Sequence, residues 1–128
     1  MANDNVELLR STYEAFGRGD IPAVMGSFAE DITWHVPGVL PHGGDAKGHE
    51  EVGEFFGRLA GMWEDFGLEF SDFVASGDRV CVIGRAQGKL DGKQTGFGFC
   101  HCWTVRDGVC TDFDEYVDPA PEMLSSRS

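Results

Sequence analysis

One histidine and one glutamate each interrupt the apolar side of a segment that alternates like a β-strand. At 97–105 the odd positions are Phe, Phe, His, Trp and Val, so His101 is the ionisable residue of that face. Fourteen residues later, Glu115 lies between Phe113 and Val117 in a second alternating segment. A histidine and a carboxylate on one desolvated face form a candidate acid–base pair, since either group can accept or donate a proton.

Whether these two side chains share a face depends on the turn that joins their strands. A three-residue loop at 106–108, with its glycine in a bulge, pairs Val105 with Val109 and places both groups on one side, one residue pair out of register. A two-residue loop at 107–108 breaks this alignment. We expect the three-residue loop, because it gives one continuous apolar face. The alternative to an acid–base pair is a buried polar pair that satisfies itself and does no chemistry.

The elements that position these residues follow from hydrophobic periodicity. The first half predicts one strand at 32–36 and three helices, at 6–16, 23–28 and 50–65. The second half alternates with period two and predicts four strands, at 68–75, 79–90, 94–105 and 109–118. Helices followed by an antiparallel meander indicate an α+β fold, with the helices on one face of a curved sheet.

Two segments rich in glycine interrupt this pattern. The stretch at 37–48 is predicted to be a loop, long enough to act as a functional flap. His42 lies within it, and we expect its side chain to be solvated, although it could swing over the mouth of a cavity. In the third helix, Gly53, Gly57 and Gly61 recur every four residues, and we expect them to allow close packing on the sheet.

Composition bounds the class of protein. A chain of 128 residues with 41% hydrophobic residues makes one domain, 1–128, with a real core. Its net charge of −12 disfavours binding to nucleic acid or to an anionic membrane. The apolar runs are far shorter than the roughly 20 residues of a membrane helix, and the first residues lack signal-peptide features. We therefore expect a soluble, cytoplasmic protein.

The four cysteines, Cys81, Cys100, Cys102 and Cys110, all fall in predicted strands. In a reducing compartment they are expected to be buried free thiols. Cys100 and Cys102 are two residues apart and share a strand face, which differs from the C-x-x-C pattern of zinc and redox sites. We therefore expect no metal, and since no nucleotide-binding motif appears, no cofactor.

Six segments carry a further pattern: YEAFGRGD at 13–20, FAEDITW at 28–34, KGHEEV at 47–52, GDRV at 77–80, VRDG at 105–108 and EYVD at 115–118. Together they resemble the nuclear-transport-factor-2-like superfamily, and within it the SnoaL-like and ketosteroid-isomerase-like branch. The resemblance implies a cone-shaped, cystatin-like α+β barrel, in which a curved antiparallel sheet wraps around three helices. It also implies a homodimer through the outer sheet face, which would carry Cys100, Cys102, Thr104 and Tyr116.

The resemblance implies roles for individual residues. Tyr13 falls where ketosteroid isomerase has its oxyanion-hole tyrosine, and His101 falls where it has a protonated aspartate as the second donor. Val36 stands where that enzyme has its general-base aspartate, which argues against steroid isomerisation by the same route. SnoaL-like cyclases use a histidine and an aspartate on adjacent strands. The two residues of that pair are 14 positions apart, as are His101 and Glu115, with glutamate in place of aspartate.

Two functional hypotheses follow. The first is a cofactor-independent enzyme that removes a proton beside the carbonyl group of a small apolar compound, as an isomerase, cyclase or dehydratase (lyase). Glu115 would be the base, His101 would polarise the oxygen or shuttle the proton, and Tyr13 would be an additional donor. The second is a non-catalytic module that binds a small ligand or another protein. In either case we expect the cavity to be lined by Trp34, Val36, Phe55, Phe56, Leu59, Trp63, Phe99, Trp103 and Phe113.

Overall fold

Three helices and six strands follow one another along residues 2–119, the part of the chain that the computed structural model describes. The helices are α1 (Ala2–Gly17), α2 (Ile21–Gly26) and α3 (Gly48–Met62). The strands are β1 (Phe28–Val36), β2 (Gly44–Lys47), β3 (Trp63–Ser76), β4 (Arg79–Leu90), β5 (Lys93–Arg106) and β6 (Val109–Asp118). This element order confirms the predicted α+β class.

The six strands form one sheet in the order β2-β1-β6-β5-β4-β3. Every neighbouring pair is antiparallel except β1 and β6, which are parallel. Helix α1 packs on β3, while α3 packs on β1 and β3, so the helices cover one face of the sheet. The sheet curves around them as predicted but does not close, because β2 and β3 remain its edges. No helix within 2–119 has the length and apolar character needed to cross a membrane.

The glycine-rich stretch between β1 and α3 differs from its prediction. The stretch at 37–48 is not loop throughout, because Gly44–Lys47 forms β2 and pairs with β1.

Asp20 caps α2, since its Oδ1 accepts a hydrogen bond from the Ala23 amide at 3.2 Å.

The glycine stripe of α3 does not pack closely on the sheet. A Cβ added at Gly53, Gly57 or Gly61 would meet nothing within 4 Å. The prediction of close packing at these three positions is therefore wrong. The side of α3 that packs on the core is instead the one that carries Val52, Phe55 and Leu59.

The turn between β5 and β6 also corrects the sequence prediction. Arg106 pairs directly with Val109, so the loop has two residues rather than three. Asp107 and Gly108 both have positive φ, 52° and 78°, as a type I′ turn requires. Asp–Gly is a preferred sequence for that turn, because aspartate tolerates the left-handed region and glycine enters it freely.

A β-bulge compensates for this short turn. Thr104 pairs with Asp112, whereas Val105 pairs with Cys110, so Thr111 is an extra residue on β6. The extra residue shifts the pairing by one, so the apolar faces of β5 and β6 lie on the same side of the sheet. As a result, His101 lies directly opposite Glu115 instead of one residue pair away.

The inner face of β5 is part of the hydrophobic core. On the inner face Phe97, Phe99, Trp103 and Val105 are at most 4% exposed and belong to the core between sheet and helices. His101 lies among them and is 7% exposed.

Candidate active site

The histidine and the glutamate singled out in the sequence lie together on the inner face of the sheet. His101 on β5 and Glu115 on β6 are cross-strand neighbours, and His101 Nε2 lies 3.4 Å from Glu115 Oε2. Both residues are buried, with 7% and 6% of their surface exposed. Two ionisable groups so deeply buried need partners, because an unpaired buried charge is strongly destabilising.

A tyrosine from the first helix completes the arrangement. Tyr13 Oη lies 2.6 Å from His101 Nδ1 and accepts a hydrogen bond from Trp103 Nε1 at 2.9 Å. Burial raises the pKa of Tyr13 well above its usual value; the bond from Trp103 acts in the opposite direction, and the negative charge of Glu115 raises the pKa further. Tyr13 therefore remains a phenol, whose hydrogen is available to His101 Nδ1.

The hydrogen bond from Tyr13 selects one tautomer of His101. With Nδ1 accepting from a phenol, the proton of the neutral imidazole is on Nε2, the atom that faces Glu115. Donors and acceptors then run in one direction, from Trp103 through Tyr13 and His101 to Glu115. Phe99 stacks on the imidazole, with ring centroids 4.0 Å apart, and prevents the ring from tilting.

His42 is a functional candidate that sequence reasoning missed. It was expected to be solvated, but it is 3% exposed, and its Nδ1 accepts a hydrogen bond from Trp63 Nε1 at 3.1 Å. Burial lowers its pKa from 6.5 to about 4, although the charge of Glu115 acts in the opposite direction. The ring is therefore neutral, and its proton is on Nε2, for which no hydrogen-bond partner exists among residues 2–119. The flap lacks periodicity, so no pattern in its sequence indicates that His42 is buried.

An apolar cavity lies between the sheet and the helices, and its wall includes His42, His101 and Glu115. Its volume is about 70 Å³. Six of the nine predicted lining residues line it: Trp34, Phe55, Phe56, Leu59, Trp103 and Phe113. The wall also contains apolar residues that were not predicted, among them Phe28, Phe66, Leu68 and Phe97.

The three other predicted residues have different positions. Val36 is 1% exposed and belongs to the packed core outside the cavity wall. Trp63 lies behind His42 and donates to it. Phe99 lies behind His101 and stacks on it. Two of the three thus hold a histidine of the cavity in place and do not face a ligand.

A second donor in the cavity wall also lacks a partner among the described residues. Trp34 is 5% exposed, and its fully buried indole Nε1 makes no hydrogen bond. Leaving such a group unpaired costs about 1–3 kcal/mol. Its presence is explained if a ligand in the cavity supplies the acceptor. Within 2–119, one group of three potential metal ligands lies close together, and it is on the outer face of the sheet and not in this cavity.

The fold and this site define a class of protein. The SnoaL-like domain family matches residues 9–113, and the chain belongs to that family, within the nuclear-transport-factor-2-like superfamily. An uncharacterized protein of Mycobacterium tuberculosis H37Rv, Rv0034, is 29% identical over 91% of each chain.

Two solved structures have the same fold. An NTF2-like protein of unknown function from Burkholderia pseudomallei has a TM-score of 0.85 and 28% identity, over 96% of this chain and 94% of that one. TerC, co-crystallised with polyporic acid, has a TM-score of 0.81 and 29% identity, over 90% of this chain and 92% of that one.

Proposed function

We propose that this chain is an enzyme that removes a proton beside the carbonyl group of a small apolar compound and stabilises the enolate, without a cofactor. The observation that carries the proposal is the buried chain from Tyr13 through His101 to Glu115 in the wall of a cavity. Isomerisation, cyclisation and dehydration all share this first step. Glu115 is the general base: Oε2 faces His101, while Oε1 has no hydrogen-bond partner among the described residues.

The roles of His101 and Tyr13 follow from their contacts. His101 donates its Nε2–H to the Glu115 carboxylate and so holds that carboxylate in one orientation. Tyr13 acts through His101, since its hydroxyl is engaged at 2.6 Å and is not free for a substrate. A base held in one geometry by such a chain reacts faster than a freely rotating one, because orientation is supplied before the reaction.

The enolate oxygen needs donors, and two face the same cavity. His42 offers a neutral Nε2–H, and Trp34 offers its unpartnered Nε1–H. A neutral imidazole held in place polarises a carbonyl without first losing a proton. Both donors are fixed by surrounding aromatic rings, so they need no reorganisation when charge develops on the oxygen.

The cavity restricts the substrate to a small, largely apolar molecule. At about 70 Å³ it is smaller than the roughly 150 Å³ cavity that holds benzene in an engineered protein. A six-membered ring therefore requires side chains of α3 or the flap at 37–43 to move. The similarity to TerC, which was co-crystallised with polyporic acid, supports a role in handling small molecules.

The narrowness of the cavity also favours the second hypothesis, a non-catalytic binding module. In that case the aromatic wall and the Trp34 donor recognise a ligand, and the Tyr13–His101–Glu115 chain serves only to satisfy buried polar groups. The two hypotheses differ in what Glu115 does once a ligand is bound.

The decisive experiment measures proton abstraction directly. A panel of small carbonyl compounds is screened by thermal shift against wild type and Glu115→Gln, and each binder is followed by NMR in D₂O for exchange of the hydrogen beside its carbonyl. We expect both proteins to bind, and exchange to fall about 10²–10⁴-fold in Glu115→Gln. Asp114→Asn, the adjacent carboxylate on β6, is the matched control. Binding without exchange in wild type favours the binding module.

We also propose that two copies pair through the outer face of the sheet. That face exposes Val74, Ile83 and Tyr116, by 53%, 39% and 62%, and such side chains are stabilised when a second copy covers them. Sedimentation equilibrium of wild type is expected to give twice the chain mass, and Tyr116→Arg to shift the mass toward the monomer. A monomeric wild type at micromolar concentration would contradict the proposal.

A further inference from the structure

Three thiols from two strands lie together on the outer face of the sheet, on the opposite side from the cavity. Cys102 Sγ is 3.6 Å from Cys81 Sγ and 3.9 Å from Cys100 Sγ, and all three sulfurs lie within 4.8 Å of one another. All three residues are half-buried. The expectation of no metal rested on the spacing of Cys100 and Cys102 alone. The third sulfur comes from the register between β4 and β5, which pairs Cys81 with Cys102.

The distances between the sulfurs match those around a single ion. A metal–sulfur bond of about 2.3 Å separates three sulfurs by about 4.0 Å in a trigonal plane and about 3.8 Å in a tetrahedron. The two sulfur–sulfur distances given above agree with these values within a few tenths of an ångström. The backbone of β4 and β5 therefore already holds the ligands where an ion needs them.

The number of ligands selects the kind of ion. Among residues 2–119 the cluster contains three sulfurs and no fourth histidine, cysteine or carboxylate. Structural zinc sites use four protein ligands, whereas thiolates alone are suited to soft ions such as Cu(I). A Cu(I) ion with three thiolates carries a net charge of −2. Arg79 and Arg85 lie on the same face of β4 as Cys81, whereas Asp114 lies opposite Cys102 on β6.

Burial disfavours the thiolate form of two of the three residues, Cys100 and Cys102. The pKa of Cys102 is raised to about 12, mainly by burial and secondly by hydrogen bonding to Cys81. Burial also raises the pKa of Cys100. Protonated thiols are poor nucleophiles, so the cluster is not arranged as a reactive redox centre. A metal ion that binds the three sulfurs replaces their protons.

We propose that Cys81, Cys100 and Cys102 form a binding site for a single Cu(I) ion held by three thiolates. Three sulfur–copper bonds form and three protons are released to solvent, with no change in the oxidation state of copper or sulfur. All three ligands belong to one chain, so one ion per chain is expected whether or not two copies pair through this face.

The test uses the full chain, reduced and kept anaerobic, with its four thiols counted before titration. Cu(I) is added in the presence of a coloured chelator that competes for it, and retained copper is read from the chelator and from sulfur-to-copper charge-transfer absorption. X-ray absorption of the product is expected to show three sulfurs at about 2.3 Å. Retention of one Cu(I) per chain against the chelator is the expected result.

Two variants with equal numbers of thiols separate this site from general thiol chemistry. Cys102→Ser removes the central sulfur and is expected to weaken Cu(I) binding by roughly 100-fold or more, since even outer partners of metal ligands contribute 10–100-fold. Cys110→Ala removes a thiol outside the cluster and is expected to bind like wild type. If Cys102→Ser does not fold, Cys81→Ser replaces it with the same expectation.

Three results would overturn the proposal. Wild type that loses all its copper to the chelator has no site. Equal affinities in Cys102→Ser and Cys110→Ala show that thiols bind copper without this geometry. Retention of Zn²⁺ in preference to Cu(I) shows that the site is not selective for a soft, three-coordinate ion.

Discussion

Strand β5 presents two different kinds of polar chemistry on its two faces. On the inner face His101 is held by side chains from α1 and β6, and Tyr13, which bonds it, is itself held by Trp103. On the outer face Cys102 lies within 3.9 Å of two other thiols, which the ladder between β4 and β5 brings close, and Asp114 is its cross-strand neighbour on β6. The inner arrangement depends on tertiary packing, whereas the outer one depends only on strand register.

This difference predicts how each face responds to the loss of one group. On the inner face each polar group contacts specific buried partners, so removal of one group leaves its partners buried and unpaired. On the outer face the thiols are weak donors and acceptors that gain little from one another. Substitutions on the inner face are therefore expected to cost much more stability.

The largest effect is expected for Tyr13→Phe. The change leaves His101 Nδ1 and Trp103 Nε1 buried without partners, at about 1–3 kcal/mol each. We expect urea denaturation to show a loss of about 2–4 kcal/mol in the free energy of unfolding. The matched control is Tyr116→Phe on the outer face, where the ring is 62% exposed and the change is expected to be within about 0.5 kcal/mol. Equal losses in the two variants would contradict the assigned hydrogen bonds.

The next effect is a dependence of stability on pH that originates from His42. Its pKa is about 4 in the folded chain and 6.5 when unfolded. Between these values the unfolded chain binds a proton that the folded chain does not, so the free energy of unfolding falls as the pH falls. At 1.36 kcal/mol per pH unit, the loss from His42 by pH 4.5 is about 2–3 kcal/mol.

The contribution of His42 is isolated by difference. Acid also protonates the carboxylates, so the pH dependence of wild type is compared with that of His42→Phe, in which this loss is expected to be absent. His35→Phe, at an exposed position on β1, is the control and is expected to keep it. If wild type and His42→Phe respond identically to acid, then His42 is not held neutral in the cavity.

Periodicity predicted the features that depend on neighbouring residues. The alternation at 97–105 identified the inner face of β5, and the position of Glu115 in the next alternating segment identified its partner. The prediction of the turn was wrong, because hydrophobic pattern alone does not distinguish a three-residue loop from a two-residue loop with a bulge at Thr111. Both solutions give one continuous apolar face.

The residues that were missed depend on contacts between distant segments. His42 is buried because the flap folds inward until Trp63 bonds it, and nothing in the flap sequence encodes that contact. Cys81 joins the other thiols through the register of β4 with β5, which the turn at 91–92 sets. Positions far apart in sequence reach one site only through tertiary structure, so local pattern cannot locate them.

The smallest effect on stability is expected for alanine substitutions at two glycines, and it differs between the two faces of the sheet for steric reasons alone. Gly84 on β4 pairs with Phe99, and Gly98 on β5 pairs with Arg85, so the two glycines lie one residue pair apart and on opposite faces of the sheet. A Cβ at Gly84 would lie 2.1 Å from the Glu69 carbonyl oxygen and 3.0 Å from the ring of Phe99, which stacks on His101. Because a backbone carbonyl cannot yield cheaply, Gly84→Ala is expected to lose about 1–3 kcal/mol.

The same substitution on the outer face should be tolerated. A Cβ at Gly98 would meet its nearest atoms, from Asp118 and Arg85, at 3.5 and 3.9 Å, which are ordinary van der Waals distances. Since alanine also restricts the unfolded chain, Gly98→Ala is expected to change the free energy of unfolding by less than about 1 kcal/mol, in the stabilising direction. Urea denaturation of both variants gives the comparison directly. If Gly84→Ala proves as stable as Gly98→Ala, β3 does not approach β4 as closely as described, and the packing that fixes Phe99 against His101 is looser than the proposed catalysis requires.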